Sequence, residues 1–130
     1  MGSKIPRQGS YLMGIKYVPE RGDIVWLSFD PQAGHEYSGR RPALVLSPFL
    51  YNEKTGLAIF CPITSRIKSY PFEVLIPGDL SEIEGAILSD QVHSLDWRVR
   101  KALFICRLPE EITAEVLEKL GLLLELGSFS

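Results

Sequence analysis

A chain of 130 residues, 45% hydrophobic and 23% charged, is ordinary for one globular domain and holds enough apolar material for a real core. No apolar run reaches the ~18 residues that a membrane span requires, and a net charge of −2 does not by itself mark a nucleic-acid binder. The two cysteines, Cys61 and Cys106, stand among apolar neighbours, which predicts buried free thiols and a reducing, cytoplasmic setting.

In chain order, residues 1–12 lack the apolar core and cleavage site of a signal peptide. They read as a leader or disordered segment ahead of a native start at Met13, which leaves one domain over 13–130. Gly22-Asp23 marks a turn, after which Ile24, Trp26 and Ser28 alternate with Val25, Leu27 and Phe29 as a first strand. The polar stretch 31–41, with two glycines and no apolar period, predicts a long loop of the kind that carries function. Further strands are expected at 43–47, 57–64, 72–76, 86–92 and 103–107, with turns at 51–56 and 77–79. Short strands at that spacing predict a barrel-like sheet. Pro62 cannot donate to a ladder, so its strand should be bulged there or lie at an edge. Trp26 and Phe60, lacking a polar setting, are assigned to the core. The final stretch changes period: Ile112, Val116, Leu117, Leu120, Leu123 and Leu124 share one helical face. Pro109 suits a first helical turn and Glu115 stands four residues before Lys119, so one amphipathic helix should close the chain and pack on the sheet.

The small net charge hides an uneven distribution. Between positions 38 and 70, Arg40, Arg41, Lys54, Arg66 and Lys68 face one anion, Glu53; between 94 and 107, Arg98, Arg100, Lys101 and Arg107 face Asp96. Beyond 107, five glutamates face Lys119 alone. A basic middle can meet phosphates while the acidic end faces water, although scattered solvated charges explain the same sums. Two histidines 58 positions apart and two isolated cysteines do not form a metal-ligand cluster. No Gly-rich phosphate loop or Gly-x-Ser-x-Gly elbow occurs, which removes nucleotide hydrolysis and α/β-hydrolase chemistry. The polar loop from His35 to Pro42 and the strand end from Pro62 to Arg66 remain. On their own, Glu36 reads as a solvated carboxylate and Arg41 as a rim ion pair more readily than as catalysts.

Taken together, the segments RGDIVWLSFDPQAGHEYSGRRPALVLSP, CPITS and YPFEV, then Asp90-Gln91-Val92 and Asp96-Trp97, resemble the successive motifs of the MazF family, the messenger-RNA-cleaving toxins of bacterial toxin–antitoxin pairs. The resemblance runs from about Tyr17 to the terminal helix. Its most specific element is the Gly-x-Glu-x-x-Gly-x-Arg-Pro frame, filled by Gly34, Glu36, Gly39, Arg41 and Pro42. It implies a mainly β fold with a C-terminal α-helix, an SH3-like small β-barrel of the MazF/PemK/CcdB type, assembled as a homodimer. It also implies a sequence-specific endoribonuclease toxin that uses neither metal nor cofactor. Such an enzyme cuts single-stranded RNA through the 2′-hydroxyl to leave a 2′,3′-cyclic phosphate and a 5′-hydroxyl. A cognate MazE-like antitoxin restrains it, and an acidic, partly hydrophobic segment of that partner is expected to compete for the RNA groove.

Metal-free cleavage of this kind needs a base for the 2′-hydroxyl proton, a cation for charge building on phosphorus and a proton source for the 5′-oxygen. The resemblance carries function onto Arg41 and Thr64, and next onto Glu36. Glu36 would be the base, Arg41 a planar fork for phosphate oxygens and Thr64 a donor to the same group. A guanidinium with a pKa above ~12 yields its proton reluctantly, so Arg41 is expected to stabilise charge rather than donate a proton. Phe29, Tyr37, Ser65, Arg66, Lys68, Gln91 and His93 lie in or beside the family's functional loops and are the expected substrate contacts, since single-stranded RNA is held at phosphates and splays its bases on aromatic faces. Two departures arise. The PemK branch uses an arginine two residues before an Asp-Gln dipeptide, with that aspartate; here those positions are Leu88 and Asp90, which leaves Asp90 a structural or RNA-contacting role. His35 and His93 could form an acid/base pair, which the family pattern does not require. The alternative function is that of CcdB-like toxins, which share the fold and poison DNA gyrase by binding alone.

Overall fold

β-Formers alternating on either side of Gly22 and the polar 30–38 stretch fold into antiparallel ladders. The structure, a computed structural model, describes residues 16–29, 39–79 and 82–125. The expected leader 1–12 and the positions Gly34, His35, Glu36 and Tyr37 lie outside these. The elements run β1 (Asp23–Ser28), β2 (Arg40–Val45), α1 (Phe49–Thr55), β3 (Leu57–Thr64), β4 (Glu73–Leu75), β5 (Ala86–Leu88), β6 (His93–Asp96), β7 (Leu103–Arg107) and α2 (Glu110–Leu124). The sheet order is β4-β5-β3-β2-β1-β7, and β6 also pairs with β3. Among the described residues no ladder joins β4 to β7, so the mainly β fold with a C-terminal helix forms an open, barrel-like sheet.

Strand alternation divides the apolar residues between two faces. Ile24, Leu44, Leu46, Cys61, Ile63, Val74 and Ile87 form one core with Leu108 and with Val116 of α2. Tyr17, Val25, Leu27, Ala43, Val45, Ala58, Phe60 and Trp97 form the other. The second core is the floor on which the candidate site stands. Burying each of its larger side chains contributes about 1.5–3 kcal/mol, so the site rests on well-packed ground. Cys61, fully buried, has its thiol pushed up to about 12, first by burial and then by the charge of Asp90. Such a thiol stays protonated and inert at neutral pH. Cys106 is half-buried.

Several expectations are corrected. The 51–56 stretch, read as a turn, is the end of α1, because its turn-forming residues serve a helix instead. Gly56 takes the left-handed C-cap conformation (φ 77°) and its N–H bonds the Asn52 carbonyl. The buried Asn52 side chain donates to the Pro19 carbonyl (2.8 Å) and the Ser47 carbonyl (3.0 Å) and accepts from Ser47 Oγ (2.6 Å). The single strand expected at 86–92 is two: β5 ends at Leu88, a turn closed by Gln91 N–H on the Leu88 carbonyl (3.1 Å) follows, and β6 returns to β3. β3 is neither an edge strand nor marked by a bulge at Pro62. On one side it pairs with β2, and on the other it leaves β6 after Phe60 and takes up β5 at Ile63. Pro62 stands in that change of partner, where a missing donor is tolerated. Phe60 is buried as expected, but Trp26 is 37% exposed, paired between Pro42 and Leu103 on the interior strand β1. On α2 the apolar stripe is covered only in part, since Leu123 and Leu124 are exposed. Lys119 reaches the Pro71 carbonyl (2.9 Å) rather than Glu115.

Candidate active site

Register brings the candidate residues together. β1 pairs Leu27 with Arg41, and the same ladder continues as the Phe29 N–H bonds the Gly39 carbonyl at 3.2 Å. The β2–β3 ladder runs to Ala43 opposite Pro62, and Arg41 and Thr64 each stand two residues beyond that pair, at positions of the same face. Period-two alternation puts Leu27, Phe29, Arg41, Ala43, Pro62 and Thr64 on one face, the face of the second core. Phe60 pairs with His93, and the rings of Phe29 and His93 meet edge to face with centroids 5.8 Å apart. Phe29, Arg41, Thr64 and His93 therefore share one surface, with the Arg41 guanidinium exposed at its rim.

Two contacts fix Thr64. Its Oγ1 accepts the N–H of Arg66 (3.0 Å), which occupies one lone pair and leaves the hydroxyl hydrogen for an outside acceptor. Behind it lies Gly85 (φ 129°), where a Cβ would stand 2.1 Å from the Thr64 carbonyl oxygen; only glycine permits that approach. The exit of β1 is held by Arg100, whose Nη1 donates to the carbonyls of Phe29 (2.5 Å) and Ser28 (3.3 Å). The turn presenting Arg100 is built on Asp96, which accepts the N–H groups of Val99 (3.0 Å) and Arg98 (2.9 Å). Those bonds, that of Val99 above all, hold the Asp96 carboxyl below its ordinary range.

Ser65, Arg66 and Lys68 lie on an exposed loop after β3. Tyr70 of that loop donates its hydroxyl to Asp90 Oδ2, which joins the loop to the turn carrying Gln91 and holds the Tyr70 hydroxyl above its ordinary range. Of the expected site residues, the structure thus groups Phe29, Arg41, Thr64 and His93, and sets Ser65, Arg66, Lys68 and Gln91 on two linked turns. Glu36 and Tyr37 lie outside the described residues. Sequence reasoning passed over Arg100, Glu73 and Tyr70, because each works through backbone groups or a long-range partner that no local pattern shows. Among the described residues no three His, Cys, Asp or Glu side chains cluster as a metal site, and no helix is long and apolar enough to cross a membrane.

With the site laid out, its relatives can be placed. The profile of PemK-like, MazF-like toxins of type II toxin–antitoxin systems matches residues 20–124. The endoribonuclease toxin MazF of Escherichia coli (strain K12) is 52% identical over 87 residues, spanning 67% of this chain and 77% of that protein. Endoribonuclease PemK of Escherichia coli is 36% identical over 108 residues, 81% of each chain. The crystal structure of MazE-MazF (Form-II) from Deinococcus radiodurans superposes with a TM-score of 0.76 at 49% identity, covering 86% of this chain and 100% of that one. The CcdB-like alternative is set aside by these matches, whose curated members are named endoribonucleases. From its sequence and its fold alike, the chain belongs to the PemK-like, MazF-like toxins of type II toxin–antitoxin systems.

Proposed function

We propose that this endoribonuclease toxin cleaves single-stranded messenger RNA at specific sequences without a metal, on the face that carries Phe29, Arg41 and Thr64. The observation that supports the proposal is that Arg41 and Thr64 each stand two residues beyond the Ala43–Pro62 pair on the same face, the Thr64 hydroxyl accepting only the Arg66 N–H among the described contacts. Both can donate to one phosphate, where charge accumulates as the reaction proceeds. The 2′-oxygen attacks phosphorus, its proton passes to the Glu36 carboxylate, and the bond from phosphorus to the 5′-oxygen breaks as that oxygen takes up a proton from water. The products are a 2′,3′-cyclic phosphate and a 5′-hydroxyl. Phe29 and Tyr37 offer ring faces to bases, His93 braces the Phe29 ring, and Ser65, Arg66, Lys68 and Gln91 meet the strand on either side of the cut.

The enzyme acts in the cytoplasm as a homodimer. The neighbouring exposed side chains Trp26 and Leu103 support contact with a second copy. A cognate MazE-like antitoxin restrains it, an acidic segment competing with RNA for the cations Arg40, Arg41, Arg66 and Lys68. The test is a synthetic RNA carrying one cleavable site and its twin with hydrogen in place of that site's 2′-hydroxyl. The first should be cut and the second should survive. Cutting of the deoxy twin would remove the 2′-hydroxyl as nucleophile.

A further inference from the structure

The cationic loop after β3 has no regular secondary structure, yet its backbone is closely bound. Glu73, at the start of β4, turns its carboxylate inward onto three successive N–H groups: Lys68 (3.2 Å to Oε1 and 3.1 Å to Oε2), Ser69 (3.0 Å) and Tyr70 (3.4 Å). Ser69 sits between them in the left-handed region (φ 57°), a conformation that a non-glycine residue keeps only when its surroundings hold it. Two further ties act on the same stretch, Tyr70 to Asp90 and Lys119 Nζ to the Pro71 carbonyl. Glu73 is thus the hub of a loop that presents Arg66 and Lys68.

We infer that Glu73 is a positioning residue for RNA recognition: its carboxylate, spent on backbone N–H groups, fixes the loop in the shape that aims Arg66 and Lys68 at the RNA backbone. The inference rests on the reading that these two cations touch RNA. Plain charge counting gives the opposite sign, since removing an anion beside a phosphate-binding surface should tighten RNA binding. A loop that must be ordered on binding instead weakens it.

The experiment measures the Kd of the intact protein for a fluorescent RNA with a deoxy cut site, and kcat and KM for the cleavable RNA, with Glu73→Gln and Glu73→Ala. Charge-assisted hydrogen bonds of this kind support an expected rise of about tenfold in Kd and KM for both variants, with kcat much less affected. Amide exchange at residues 68–70 should quicken. An unchanged or lower Kd in both variants overturns the inference. The companion variant Arg66→Ala/Lys68→Ala separates its failure from that of the reading beneath it. If that variant binds RNA as the parent does, the cations are not contacts and the reading itself fails. If it binds weakly, adding Glu73→Gln should cost little more; a further loss as large as in the parent would show that Glu73 acts by another route.

Discussion

Arg41→Lys should lower the rate of RNA cleavage by about 10²-fold or more, the loss typical when one donor to a developing oxyanion is removed. The substitution keeps the charge at an exposed strand position, so neither folding nor long-range attraction of RNA should change much. What goes is the planar fork, which can give two parallel N–H bonds to phosphate from a position on the same face as Thr64. The effect should fall on kcat, with the Kd for a non-cleavable RNA within a few-fold of the parent, because a lysine still neutralises a phosphate. If both groups serve the same oxygens, as proposed, Thr64→Ala in the Arg41→Lys background should cost less than it does alone. A lysine variant that cuts as fast as the parent would mean that point charge suffices and that the fork has no part in the rate.

Asp23→Ala should be strongly destabilising, lowering the free energy of unfolding by about 2–3 kcal/mol, because it removes the buried acceptor shared by Tyr17, Glu20 and Arg107, while the Arg107 side chain, 42% exposed, keeps access to water. Asp23 is fully buried at the start of β1. Its Oδ2 accepts the Tyr17 hydroxyl (2.7 Å) and the Glu20 N–H (3.0 Å), and its Oδ1 accepts Arg107 Nη1 (3.0 Å). Alanine leaves a phenol and a guanidinium without their acceptor, and loosens the turn at Gly22 together with the end of β7. Urea denaturation of parent and variant measures the loss. A difference below 1 kcal/mol would show that water replaces the carboxylate without cost, contrary to the packing described.

Some of this was legible in the sequence because the residues report on themselves. The continuous apolar run at 57–64 coincides with β3, the 103–107 run with β7, and the change of period after Pro109 with α2. Arg41 and Thr64, 23 positions apart, were recognisable one at a time, by resemblance to separate motifs. That both stand just beyond the Ala43–Pro62 pair on one face is a matter of register, set by long-range pairing that neither motif contains. α1 was hidden because Asn52 and Gly56, turn formers by composition, act as a buried hydrogen-bond hub and a C-cap. The break between β5 and β6 was hidden because strand-like residues continue through the turn. Glu73 stood in plain view within YPFEV, but its role lies in three backbone N–H groups that any residue type except proline would supply.

The central claim, metal-free attack by a 2′-hydroxyl at the surface shared by Arg41 and Thr64, is tested most directly by the chemistry of the cut ends. The parent protein is incubated with a short RNA bearing one cleavable site in a large excess of chelator, and the fragments are analysed by mass. The expected result is undiminished cleavage with a 2′,3′-cyclic phosphate on the upstream fragment and a 5′-hydroxyl on the downstream one. Cleavage abolished by the chelator, or a downstream fragment carrying a 5′-phosphate, would contradict it.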